Sequence, residues 1–364
     1  MRKPRLKIRA LKVRAVAAPI KRPLVTSVGT VQSAALLLVD LQADGGITGR
    51  SYLFAIGKHN LAPLARLVEA MAEMVKGDEL APLDLERKLR AKYALLGVHN
   101  IVLMAIAGID AAAWDALAQA RGVPLVRLLG AAPRPIAAYN SNGLGLLALK
   151  DLAREARALL DGGFRAIKLR MGRASAREDV QALKAVKKEI GPDVTLMVDF
   201  NQGLSVAEAI RRGHMIDEEG GVLWIEEPIR ADDFSGCSQV RREISTPIQI
   251  GENFMGPEQM AQALAAGACD YVMPDLERIG GVTGWLRAAA LAQGAGVEMS
   301  SHLFPETSCH LLAATPTCHW LEYVDWADAI LQEPLVVKNG MATIPERPGS
   351  GLAWDEKAVK RFLV

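Results

Sequence analysis

Three carboxylates stand out by position. Asp199, Glu226 and Glu252 each close a short apolar run, and the runs follow one another at intervals of 27 and 26 residues. Carboxylates gathered at one place repel unless a cation lies between them. An all-oxygen donor set without cysteine suits a hard divalent ion, Mg²⁺ with Mn²⁺ as a substitute. Taken singly, each acid reads equally well as an ordinary salt bridge; recurrence in register argues against that. The next two runs end in Asp275 and His302. A carboxylate beside an imidazole fixes its tautomer and raises its basicity, which makes a general base, whereas a lone histidine is more often a satisfied core residue. Lys168 and Arg170 lie two apart on one run, so they share a face and suit an anionic substrate. Glu322 ends the last run; kept protonated by burial, it would donate a hydrogen bond to a developing oxyanion.

Such residues need a scaffold that delivers them to one place. The runs read as strands at residues 165–170, 195–201, 222–228, 247–252, 271–275, 297–302 and 321–325, with amphipathic helical stretches between them. Apolar strands alternating with helices indicate a parallel sheet covered on both faces. Lys168, Asp199, Glu226, Glu252, Asp275, His302 and Glu322 follow one another at 20–31 residues, about one βα unit. Six such repeats from a starting strand suggest a barrel of seven or eight units, with an open doubly wound sheet as the alternative. In a barrel, the C-terminal ends of the strands form the active rim. The first 130 residues differ. Strands are expected at 5–18 and 34–42, joined by a hairpin-like stretch at Ser27-Val28-Gly29, with a second turn at Asp44-Gly45-Gly46. Helices follow at 61–76 and 101–120, the second apolar nearly all round and ending near Gly122. This half reads as α+β.

Bulk properties narrow the function classes. The chain has 364 residues, half of them hydrophobic, enough for one large domain or two. Lys plus Arg number 43 against 41 Asp plus Glu, and a net charge of +2 argues against a nucleic-acid surface. The basic N-terminus alternates charged with apolar residues, as a strand with one solvated face does. No apolar run is expected to reach the ~18 residues that span a bilayer, and no signal peptide is recognised. Cys237, Cys269, Cys309 and Cys318 form no Cys-x-x-Cys pair and read as reduced thiols, so a cytoplasmic location is expected.

Several longer stretches carry a family resemblance. They are Ala107-Gly-Ile-Asp110 through Trp114-Asp115, Met197-Val-Asp-Phe-Asn-Gln202, Trp224-Ile-Glu-Glu-Pro228 and Gly251-Glu-Asn253. They continue with Met273-Pro-Asp275, Ile279-Gly-Gly-Val-Thr-Gly-Trp285, Ser300-Ser-His-Leu-Phe304 and Leu311-Leu-Ala-Ala-Thr-Pro316, and with the tail from His319. In this order they resemble the mandelate racemase subgroup of the enolase superfamily over nearly the whole chain. The resemblance implies an N-terminal α+β capping domain over residues 1–130 and a modified (β/α)₇β TIM-like barrel over 131–325. A C-terminal segment, 326–364, would return to the cap. It also implies Mg²⁺-dependent removal of the proton next to a carboxylate through an enediolate, and a small-molecule α-hydroxy carboxylate as substrate. Such sites pair a Lys or His base with Mg²⁺. Asp199, Glu226 and Glu252 resemble the metal ligands, with Asn201 and Glu227 behind them. His302 with Asp275 resembles the base for one face of the substrate. Lys168 resembles the lysine at the substrate carboxylate, Glu322 the donor to its other oxygen, and Ser141 a carboxylate-binding serine. Leu24, Val31, Phe54 and Ile56, with Leu303, resemble the apolar lining over the substrate's side group. A homo-oligomer is expected.

Two positions depart from the family pattern. Lys168-Leu169-Arg170 stands where the family has Lys-x-Lys, whose second lysine serves the opposite face. An arginine has a pKa above ~12, and holding one neutral near pH 7 costs about 7 kcal/mol. Ile56 stands where a tyrosine is usual. Racemisation of a mandelate-like acid is therefore the first reading. Dehydration of an acid sugar by a single His302 base is the alternative, favoured by Arg170 and opposed by the apolar lid. A metal-binding barrel without turnover is a third. Gly143-Leu-Gly-Leu-Leu-Ala148 matches a dinucleotide pattern, but the strand after it lacks the ribose-binding acid. His302, Glu306 and His310, four apart but next to Pro305, read as an accidental metal-like spacing.

Overall fold

The computed structural model describes residues 5–27 and 29–364; Val28, in the expected hairpin turn, lies outside the described residues. The chain opens with an antiparallel sheet of β1 (Ile8–Thr26), β2 (Gly29–Ala43) and β3 (Thr48–Phe54). β1 and β2 are longer than expected from sequence, since their ladder runs from Ile8 opposite Ala43 out to Thr26 opposite Gly29. The register shifts between Pro19 and Leu24. Proline has no N–H for the ladder, which accounts for a break in the pairing between Pro19 and Leu24. Helices α1 (Leu61–Val75), α2 (Pro82–Lys92), α3 (Asn100–Arg121) and the short α4 (Leu125–Leu128) follow. The charged α2 was missed in the sequence, because its mean hydropathy hides a narrow apolar face of Leu85 and Leu89.

α3 corrects one expectation. It is long and apolar enough to cross a membrane by length and composition, but 78% of its most apolar window is buried inside the protein. Ala105, Ile106, Ile109, Ala112 and Ala116 pack into the cap core with Leu37, Leu53 and Val68. Small residues allow the close approach: a Cβ on Gly49 of β3 would meet the Ala112 carbonyl at 2.0 Å.

The barrel begins with β4 (Ile136–Asn140), a strand the sequence reading did not single out. It continues as α5 (Leu149–Leu159), β5 (Ala166–Arg170), α6 (Ala176–Ile190), β6 (Thr195–Asp199), α7 (Val206–Glu219) and β7 (Ile225–Glu226). Then come α8 (Phe234–Glu243), β8 (Ile248–Ile250), α9 (Pro257–Ala265), β9 (Tyr271–Val272), α10 (Gly281–Ala295), β10 (Glu298–Met299), α11 (Pro305–Ala314) and β11 (Leu321–Tyr323). Each strand from β4 to β9 pairs in parallel with the next strand in sequence order, and β11 pairs in parallel with β4. The seam between β10 and β11 is closed by backbone bonds such as Ser301 N to Trp320 O, 3.0 Å. This is the expected (β/α)₇β closed barrel, and the open-sheet alternative falls.

Beyond β11, β12 (Val337–Lys338) and β13 (Met341–Ala342) form a small hairpin whose second strand pairs antiparallel with β4. The C-terminal segment thus touches the barrel before it reaches the cap. Further on, α12 (Glu356–Phe362) leads to Val364, whose N–H donates to Ala15 O, and the Trp354 indole donates to Asp40 Oδ1 at 2.8 Å.

Candidate active site

The barrel strands are shorter than their apolar runs suggest because the chain leaves the ladder as it reaches the rim. Asn201, Gln202, Glu227, Leu303 and Phe304 all have positive φ just beyond β6, β7 and β10. Backbone held in the left-handed region by non-glycine residues costs energy and clusters at functional sites. Here it turns the side chains of the strand ends inward.

Asp199, Glu226 and Glu252 meet there. They offer one oxygen each, all within 4.8 Å of one another. Asp199 is fixed by the Asn201 backbone N–H at 2.7 Å and its side-chain amide at 3.0 Å. Glu226 accepts from the Trp224 indole at 3.1 Å and from Lys168. Asn253 donates to Glu252 at 3.2 Å and to Glu227 at 2.7 Å, so Glu227 supports the centre through Asn253. Arg278 ties the outer edge together, donating to the Glu252 carbonyl at 3.2 Å and to the Asn253 side chain. Asn253, Arg278 and Trp224 were given no role from sequence. The signal for Asn253 was its place directly after Glu252; nothing in the spacing marks Arg278.

Lys168 is buried at the centre, with Nζ 3.3 Å from Asp199 and 2.9 Å from Glu322, and in contact with Glu226. Burial opposes its charge, but Glu226, Glu322 and Asp199 together raise its pKa. The carboxylates still outnumber it. Burial pushes Glu226 up to about 8 against the pull of Lys168, with Asp199, Glu322 and Glu252 adding to the rise. A buried set of hard oxygen donors with surplus negative charge fits a divalent cation of the Mg²⁺ type.

His302 and Asp275 are hydrogen-bonded to each other. His302 Nδ1 lies 2.7 Å from Asp275 Oδ2, and Asp275 Oδ1 accepts from the backbone N–H groups of Glu277 and Arg278. With Asp275 at Nδ1, Nε2 is the nitrogen that faces the carboxylate centre, 3.3 Å from Glu252, and those carboxylates favour a proton on it. Burial disfavours the charged ring, but Glu252, Glu322 and Asp275 raise it to about 10. Glu252 is the largest of the raising charges, so the basicity of His302 is tied electrostatically to the metal centre.

Glu322 is surrounded by donors: burial pushes its pKa up, but Lys168 and His302 pull it below the usual carboxylate range, the opposite direction from the protonated donor expected. Ser141 Oγ at 2.7 Å and the Leu303 N–H at 3.0 Å also donate to it. Arg170 is held by Ser141 O at 2.7 Å, Gly143 O at 2.8 Å and Ser141 Oγ at 2.7 Å. Its Nε is buried without a protein partner. Ser141 therefore bridges Arg170 and Glu322.

The lining residues divide. Phe54 and Leu303 border a small apolar cavity with Tyr52, Phe304 and Trp326, and the Phe54 and Trp326 rings meet at a tilt of 50°, 5.1 Å between centroids. Leu24 and Val31 face each other across the outer hairpin, Leu24 buried and Val31 half-buried. Ile56 is 53% exposed with φ +63°, an unusual conformation for a β-branched residue, and does not border the cavity. The hairpin itself is docked on the rim: Ser27 Oγ donates to Phe200 O at 2.7 Å and Leu146 N–H to Val25 O at 2.9 Å. That second bond engages the Gly143–Ala148 stretch, which is a docking loop here. His310 is buried between Val126 N and Ser350 O, and Glu306 accepts from Tyr52, so neither joins His302.

Comparison with known proteins agrees with this geometry. Residues 8–130 match the family described as mandelate racemase / muconate lactonizing enzyme, N-terminal domain, and residues 151–358 the enolase C-terminal domain-like family. A crystal structure of an enolase from Bradyrhizobium, complexed with magnesium and mandelic acid, is 45% identical over 100% of both chains, with a TM-score of 0.95. An enolase from alpha proteobacterium bal199 with bound Mg is 44% identical over 99% of this chain and 100% of the other, TM-score 0.96. L-talarate/galactarate dehydratase of Salmonella typhimurium is 31% identical over 329 residues, 89% of this chain and 81% of that protein. With the capping domain, the closed barrel and the Asp199, Glu226 and Glu252 centre all in place, the chain belongs to the mandelate racemase / muconate lactonizing enzyme family of the enolase superfamily, as a Mg²⁺-dependent enzyme.

Proposed function

We propose that the chain removes the α-proton of a small α-hydroxy carboxylate with an apolar side group, and that the overall reaction is racemisation. The observation that carries the reading is the His302–Asp275 pair set 3.3 Å from Glu252 of the carboxylate centre. A bound Mg²⁺, held by Asp199, Glu226 and Glu252, would offset the negative charge that collects on the substrate carboxylate. The chain's own residues supply the abstraction at one face; the proton that returns to the opposite face would come from water, since Arg170 is held as a fixed cation. His302 takes the proton at Nε2, Asp275 keeps its tautomer, and Lys168 supplies a buried positive charge beside the centre. Leu303, directly after His302, is apolar, in keeping with the mandelic acid bound by the Bradyrhizobium protein.

Dehydration of an acid sugar is the second reading, and Arg170 favours it. Three hydrogen bonds hold Arg170 as a fixed cation, so a base for the opposite face is not supplied by that side chain. The Salmonella relative is a dehydratase. The four cysteines, all free, support the expected cytoplasmic setting. The expected homo-oligomer rests on the sequence alone.

Mg²⁺-loaded protein in D₂O with each mandelate enantiomer and a panel of sugar acids, followed by proton NMR, tests the reading. Deuterium in both enantiomers with interconversion supports racemisation. Exchange of one enantiomer without inversion leaves His302 as a lone base and removes the racemase reading. Loss of water from a sugar acid, with mandelate inert, replaces it by dehydration.

A further inference from the structure

The barrel interior just below the site is aromatic, and two of its residues touch the charged groups above. Trp224 lies two positions before Glu226, directly ahead of β7, and is fully buried. Its indole N–H donates to Glu226 Oε2 at 3.1 Å, while Lys168 takes Glu226 Oε1. Lys168 Nζ in turn sits 5.7 Å from the centroid of the Tyr139 ring. Tyr139 and Trp224 meet edge to face at 5.6 Å, both fully buried, and Trp224 also packs against Tyr271 and His319. The Tyr139 hydroxyl has no hydrogen-bond partner among the described residues. It is therefore the ring, and not the hydroxyl, that faces the lysine.

We propose that Trp224 is a positioning residue for the metal centre: its indole N–H pins one oxygen of Glu226 and sets the carboxylate plane that faces the cation, with the Tyr139 ring holding Lys168 on the other side. The inference rests on the reading of Asp199, Glu226 and Glu252 as the cation site. A carboxylate with two equivalent oxygens rotates about its last bond; a donor fixed in a rigid core removes that freedom. Partners behind a metal ligand are typically worth 10–100-fold in metal affinity. The indole supplies the donor without a second charge, and its large buried face resists displacement.

The test is Mn²⁺ affinity by calorimetry on metal-stripped protein, alongside thermal unfolding. Wild type is measured first: if it binds no Mn²⁺, the metal reading itself fails. If it binds, Trp224→Phe is expected to weaken Mn²⁺ about 10-fold or more. Phe also leaves space, so a second variant replaces Trp224 by the isosteric β-(3-benzothienyl)alanine, which keeps the shape and exchanges N–H for sulfur. The same weakening there, with an unchanged unfolding temperature, supports the inference. Tyr139→Phe, which keeps the ring, is expected to bind Mn²⁺ as wild type does. Wild-type affinity in the benzothienyl variant overturns the proposal and leaves Trp224 as core packing.

Discussion

At the scale of single residues the site is a balance of buried charge. The proposed base, His302, has Asp275 at one nitrogen and the carboxylate centre at the other. His302→Asn keeps a similar hydrogen-bonding shape without the proton acceptor. It is expected to slow mandelate α-proton exchange about 10³-fold, read by proton NMR in D₂O, while Mn²⁺ binding persists. Loss of both would mean that His302 serves the metal centre and not the substrate. A second buried acid gives a pH signature away from the centre. Glu306 accepts from Tyr52, and burial raises its pKa to about 7 despite that hydrogen bond. The folded state therefore keeps a proton that the unfolded chain releases near pH 4.5. That contribution is full below the unfolded value and is lost as pH rises through about 7. Glu306→Gln has no such loss. Its stability relative to wild type is expected to rise by on the order of 1–3 kcal/mol between pH 5 and pH 8, measured by urea unfolding. A pH-independent difference would show that Glu306 ionises normally.

At the scale of elements the outer hairpin of β1 and β2 decides whether the rim is covered. Ser27 reaches Phe200 O, directly beside Asp199, and the rim accepts it through glycines. A Cβ on Gly203 would lie 2.7 Å from Ser27 Oγ, and one on Gly145 would lie 2.5 Å from Val25 O. Neither glycine needs the left-handed region, so alanine at either place obstructs the hairpin without straining the backbone. Gly203→Ala is expected to raise the KM for the α-hydroxy acid about fivefold, the worth of one hydrogen bond, and to speed amide exchange in residues 20–33. Unchanged exchange in that segment would show that the hairpin tolerates the methyl. Ile56, at the end of β3, takes no part in this cover; it is a strained and half-exposed residue at the edge of the cap.

At the scale of the whole molecule, cap and barrel are joined by the chain's end. Trp354 is buried and donates to Asp40 of β2, which also pairs with Arg14. Trp354→Ala is expected to cost about 3–5 kcal/mol and to split thermal unfolding into two transitions if the cap loosens first; a loss under 1 kcal/mol would mean the tail is dispensable. Much of this was legible in the residues. Repeated apolar runs ending in acids determined the barrel, the three-carboxylate centre and the His302–Asp275 pair, because strand period and rim position are local consequences of chain order. β4 was not legible, since Ile136–Asn140 is short and carries no charged rim residue. Nor was the state of Glu322, which depends on Lys168 and His302 arriving from other strands. The exposure of Ile56, the fork of Arg170 on Ser141 and Gly143, and the indole behind Glu226 likewise arise only when distant segments meet. The sequence by itself determined which groups reach the rim; only the tertiary structure decided which of them touch, and hence which are charged, because Coulomb and desolvation energies depend on distances that no spacing along the chain contains.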